Sequence, residues 1–207
     1  MTLSASLLAG LAAGLGVALP LGAVGILIVT QGVAGGFRSG AAAAGGVALV
    51  DLVYCVAALA FGAALAPAVA AAGRWPGAAA GVLLIALAVR GLAKLRSADG
   101  AAAPAVRGGP VRVFATFTGL TALNPATVLY FLALATVLGA GGWTWGSAAA
   151  FAIGVGTASL GWQLVLAGTG SLAGRWITVR GRRWLGIAGY GMVTLMGLAA
   201  LAVAASG

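Results

Sequence analysis

Apolar residues run through this chain in long stretches, with the polar positions gathered between them. The charge-poor runs cover 3–31, 40–66, 76–95, 112–139, 144–172 and 184–206. A helix crosses a bilayer with roughly 20 apolar residues at about 1.5 Å rise each, so these runs predict six spans. Almost nothing remains for a soluble domain, and residues 1–207 read as a single membrane domain. The first run has no basic segment before it and is too long for the apolar region of a signal peptide. It is therefore transmembrane helix 1.

Residues 97–111, SADGAAAPAVRGGPV, form the one sizeable polar linker, and they divide the spans three and three. The halves share a pattern. GVALVDLVY from Gly46 aligns with GVGTASLGW from Gly154, which sets Asp51 against Ser159 and Tyr54 against Trp162. RWPG at 74–77 aligns with RWLG at 183–186, and ALPLGAV in helix 1 has a looser counterpart in ALNPATV in helix 4. These matches keep the same order at offsets of 104 to 109. With an odd number of spans in each half, the second half inserts upside down, a signature of secondary transporters. The expected fold is an all-α integral membrane protein with six transmembrane helices as two inverted three-helix repeats. Residues 1–97 form the first repeat, 98–110 a cytoplasmic linker and 111–207 the second.

Composition sharpens this picture. The chain is 62% hydrophobic and 6% charged, with mean hydropathy +1.15, whereas a soluble domain is about a quarter charged. Its 36 glycines fit close helix packing, and Gly10/Gly14 on helix 1 and Gly36/Gly40 at the start of helix 2 read as packing pairs. The net charge of +9 is explained by placement. Ten of the eleven basic residues fall in the loops after helices 1, 3 and 5 or beside them, and Arg74 alone falls on the other side. This positive-inside bias puts the linker in the cytoplasm and both termini outside. It also makes a nucleic-acid partner unnecessary. Trp75, Trp143 and Trp145 on the outer side and Trp176 and Trp184 on the inner side read as interfacial anchors. One cysteine, Cys55, excludes an internal disulfide and a dithiol redox pair. With no histidine and two acids, a metal site is not expected. Neither a cofactor nor enzymatic chemistry is expected either.

Candidate chemistry collects near mid-membrane. Asp51 lies about 11 residues, or roughly 16 Å, into helix 2, and Ser159 at a similar depth in helix 5. Pro20 in helix 1 and Asn124-Pro125 in helix 4 also fall near the middle of a core about 30 Å thick. A proline inside a helix frees backbone groups, which protein or a wet cavity must satisfy at that depth. A half-helix starting near Pro125 would point its first N–H groups at such a cavity and favour a carboxylate. Asp51 has no Lys or Arg at its depth, and an unpaired charge there costs a few kcal/mol at least. It is therefore protonated part of the time, solvated, or paired with a cationic ligand. Tyr54 shares its helical face. Gln31, Trp162 and Gln163 are further polar candidates.

Helix 1 ending LPLGAVGILIVTQG, DLVYC in helix 2, LTALNPATVLYFLAL in helix 4 and ASLGWQ in helix 5 together resemble the lysine-exporter (LysE/RhtB) family. The resemblance extends over essentially the whole chain, in order and spacing. It implies a six-helix exporter of amino acids or related small metabolites in the inner membrane, driven by the proton gradient. By position, Asp51, Gln31, Asn124 and Pro125 match the family's characteristic residues. Two departures stand out. The family often has Gly-Pro where this chain has Gly22-Ala23, with its proline displaced to Pro20. Exporters of basic amino acids tend to carry an acid soon after Asn-Pro, near Tyr130 here. A dication would meet one carboxylate rather than two, which favours a neutral amino acid or another small solute.

The sequence thus points to a proton-coupled exporter whose partners are a small-molecule substrate, protons and the lipid bilayer, with a homo-oligomer left open. Asp51 would bind the substrate ammonium or a proton in alternation, and the break at Asn124-Pro125 would hold the carboxylate. A membrane scaffold or lipid-pathway accessory protein, with Asp51 purely structural, fits the same residues. A metal exporter is disfavoured by the scarcity of His, Cys and acids.

Overall fold

The computed structural model describes residues 2–19, 23–71, 106, 108–139 and 142–173, with scattered positions between 73 and 93 and between 184 and 205. Five helices are given by range: α1 (Leu3–Ala18), α2 (Ala23–Ala71), α3 (Pro110–Ala122), α4 (Pro125–Gly139) and α5 (Trp145–Ala173). No strand occurs among the described residues. Pro20, Gly22, the RWPG and RWLG motifs apart from their tryptophans, and most of the linker lie outside them.

The helix starts are written in local chemistry. Thr2 caps α1, its hydroxyl accepting from the Ala5 N–H at 3.3 Å. Pro110 opens α3, where a missing N–H costs nothing. Thr144 and Ser147 cap α5 reciprocally: each side-chain oxygen accepts the other's backbone N–H, at 3.2 and 3.0 Å.

One expected boundary carries a break, and one expected packing pair requires correction. Around Pro20, where the sequence places a helix-disrupting proline, α1 stops at Ala18 and regular helix resumes at Ala23. It then runs on to Gly36, which adopts φ 72° and ψ −178°. That left-handed conformation suits a residue without Cβ. Beyond it the chain folds back, for a Cβ on Gly40 would sit 3.2 Å from the Gly32 Cα. In a straight helix those residues would stand about 12 Å apart. Gly36 is therefore the hairpin turn between helices 1 and 2, with open space around it, and not a packing glycine. Gly40 alone packs, against Gly32 and Ala167.

Among the described residues two helices, Val24–Gly62 and Trp145–Ala173, are long and apolar enough to cross a membrane by length and composition, the first containing the Gly36 turn. The pair Pro110–Ala122 and Ala126–Ala135 makes a third if taken as one span, bent by 60°.

Packing is governed by glycine. Gly10 and Gly14 of α1 lie on the backbone of Phe151 and Val155 of α5, and Gly32 lies on Ala167. Residue numbers rise together along this contact, so helix 1 and α5 are parallel. Helix 2 and α3 make a like contact. A Cβ on Gly154 would fall 2.5 Å from the Leu7 carbonyl oxygen and 2.8 Å from the Leu11 nitrogen. One on Gly46 would fall 2.5 Å from the Phe114 carbonyl oxygen and 3.0 Å from the Thr118 nitrogen. Where no water separates helices, such backbone approach supplies the packing energy. The apolar core forms two clusters. One centres on Cys55, Phe131, Phe151 and Val155, the other on Ile28, Val47, Phe117 and Leu166.

Candidate functional site

Between those clusters lies a polar seam. On helix 2, Asp51 falls between Val47 of one cluster and Cys55 of the other; on α5, Ser159 falls between Val155 and Leu166. Asp51 is 2% exposed and Ser159 is fully buried. The Ser159 hydroxyl donates to Asp51 Oδ2 at 2.6 Å, a length typical of a bond from a hydroxyl to a carboxylate. The two positions that the internal alignment pairs thus touch each other directly. Among the described residues Ser159 is the polar partner of the carboxylate.

The second break adjoins this seam. α3 ends at Ala122 and α4 begins at Pro125. Asn124 bridges the gap as an N-cap: its Oδ1 accepts from the Ala126 N–H at 3.2 Å, and its Nδ2 donates to Thr127 Oγ1 at 3.1 Å. One of the free N–H groups at the α4 start is thereby satisfied from within the chain. Tyr54 donates to the Ala122 carbonyl at 2.7 Å, occupying a carbonyl that the break would otherwise leave open. Tyr130 reaches across to the Ala13 carbonyl at 2.7 Å, beside Gly16. Phe131 makes edge-on ring contacts with both tyrosines. The two tyrosines brace the broken helices.

Several buried polar atoms have no hydrogen-bond partner among the described residues: Thr121 Oγ1 just before the break, and Trp162 Nε1 and Gln163 Oε1 one turn beyond Ser159. Ser6 Oγ in α1 shares that condition; buried polar groups are nearly always satisfied, so each of these atoms calls for a partner beyond those described. Thr121 carried no sequence signal beyond its closeness to Asn-Pro.

Gln31 does not join this group. Its Nε2 donates to the Val106 carbonyl at 3.0 Å and to Ser39 Oγ at 2.8 Å, and its Oε1 accepts from the Val106 N–H at 2.8 Å. Its amide is spent at the hairpin, tying down one residue of the linker.

A cavity described beside the break is apolar. It measures about 200 Å³ and lies between Tyr54, Ala57, Ala58 and Phe61 of helix 2 and Val128, Phe131, Leu132 and Ala135 of α4.

These features describe an apolar helical bundle with a buried carboxylate beside a broken helix. A family model, LysE type translocator, matches residues 15–206. The chain belongs to that family, whose members are membrane transporters and not enzymes, and it is membrane-embedded. The family implies transport of amino acids or related metabolites. No match is found among curated proteins or among solved structures.

Proposed function

We propose that this protein exports amino acids or related small metabolites across the cytoplasmic membrane in exchange for protons, from a site between two inverted three-helix repeats. The observation that carries the reading is the Asp51–Ser159 bond at 2.6 Å, buried between two apolar clusters. A lone carboxylate at that depth costs about 3 kcal/mol or more unless its charge is compensated. One hydroxyl compensates only in part. A proton or a substrate ammonium completes the neutralisation, and the two compete for the same oxygens. Loading one releases the other, which is antiport.

The repeat reading is supported by three correspondences. Gly46 and Gly154 receive backbone neighbours in the same pattern. Both halves open on a helix that stops, at Ala18 and at Ala122, and starts again. Asp51 and Ser159, equivalent by alignment, are in contact, as residues beside a pseudo-two-fold axis must be. The substrate carboxylate is assigned to the start of α4, where Pro125 has no N–H, Asn124 takes those of Ala126 and Val128, and the Thr127 N–H is left for it. Thr121, Trp162 and Gln163 supply the remaining polar contacts.

Uptake into everted vesicles under an imposed pH gradient, which reads export because their cytoplasmic face is outermost, tests this. Asp51→Asn keeps the shape but cannot ionise; it should accumulate normally and lose proton-driven export, while retaining some substrate exchange. Export at the wild-type rate by the Asn variant would make Asp51 a structural residue and overturn the mechanism.

A further inference from the structure

Resting on that reading, we infer that the cavity between helix 2 and α4 receives the side chain of the transported amino acid, and that the substrates are neutral amino acids with bulky aliphatic or aromatic side chains. Its position carries the argument first. Tyr54 and Ala58 lie three and seven residues beyond Asp51, on the same helical face. Val128, on the opposite wall, lies one turn beyond the first residue of α4. An amino acid with its ammonium at Asp51 and its carboxylate at the α4 start therefore projects its side chain along this cleft, since one turn advances only about 5 Å.

Chemistry comes next. The lining carries no charged residue, and its single hydroxyl, on Tyr54, is already donated to Ala122. A polar or cationic side chain entering here would lose water and gain no partner, which disfavours it strongly. Size completes the case. The space is about 200 Å³, and an apolar cavity of about 150 Å³ accommodates a benzene ring. Small residues, Ala57, Ala58 and Ala135, create the room, with Leu132 along one side.

The test uses the full chain in proteoliposomes with a pH gradient, and leucine, phenylalanine, alanine, serine and lysine as probes. Binding of the same five to the detergent-solubilised protein is measured in parallel. Leucine and phenylalanine should be favoured over serine by roughly tenfold to hundredfold in kcat/KM, the discrimination an apolar pocket provides. Ala58→Val, which narrows the cleft, should cut phenylalanine most. Leu132→Ala, which widens it, should raise phenylalanine relative to leucine. Opposite shifts from two neighbouring variants cannot arise from misfolding. Amino-acid transport without the apolar preference, or with both variants lowering all five probes alike, overturns the side-chain pocket and leaves the exporter standing. Pocket-dependent binding of leucine without transport upholds the pocket and overturns the exporter. Neither binding nor transport of any probe overturns both, and a lipid chain then remains the occupant.

Discussion

At the scale of single residues, the chain concentrates its polar commitments in few places. Ser159 is the clearest case, buried completely and bonded to the one carboxylate in its reach. Removing its hydroxyl leaves Asp51 Oδ2 without that partner, and losing a hydrogen bond to a charged group costs about 1.5–3 kcal/mol. Ser159→Ala should therefore lower the unfolding transition in detergent and depress export, while Ser159→Thr restores both. A Ser159→Ala protein with wild-type stability and export would show the bond to be idle. Asp51 and Ser159 were legible in the sequence, one as an acid in an apolar run and the other through the repeat offset. Gln31 was visible as a polar residue, but its work was not. It pairs with backbone 75 positions away, and no local pattern encodes such a partner. Asn124 was read for its polarity, and it turns out to be occupied as a helix cap.

At the scale of elements, contacts between helices rest on glycines of unequal importance. A Cβ at Gly154 collides with the backbone of α1, whereas one at Gly161 meets nothing within 4 Å. Overpacking of this kind costs about 1–3 kcal/mol. Gly154→Ala should reduce membrane accumulation and lower the melting temperature, with Gly161→Ala unaffected. Equal behaviour of the two would remove glycine packing as the organiser of this bundle. The breaks were legible at Pro20 and Pro125, because proline cannot continue a helix without loss. It concealed the Gly36 turn: Gly35, Gly36 and Gly40 look alike in a string of letters, and only φ distinguishes a hinge from a packing face.

At the scale of the whole molecule, the paired contacts constrain how the chain threads the bilayer. Helix 1 lies parallel to α5 and helix 2 to α3, as expected when each pair is separated by an even number of reversals. With the basic residues gathered on one side, the proposed topology has both termini outside. Reporter fusions at Gly207 should report an external carboxyl terminus, and a cytoplasmic signal there would reverse the orientation. The class of fold was readable from hydropathy alone, because water excludes no other arrangement so firmly for runs this long. The proposed relation between the halves rests in the sequence on faint similarity, since Gly, Ala, Leu and Val recur everywhere and blur any alignment.

The bonds from Gln31 to Val106 have a mechanical corollary. A connector joined only at its ends would absorb displacement as slack. This one is moored partway, by its backbone, to the hairpin of the first three helices, close to where Pro110 begins the next helix. Residues 107–109 alone separate that mooring from Pro110, so the hairpin and the first turn of α3 cannot part far without breaking the Gln31 bonds.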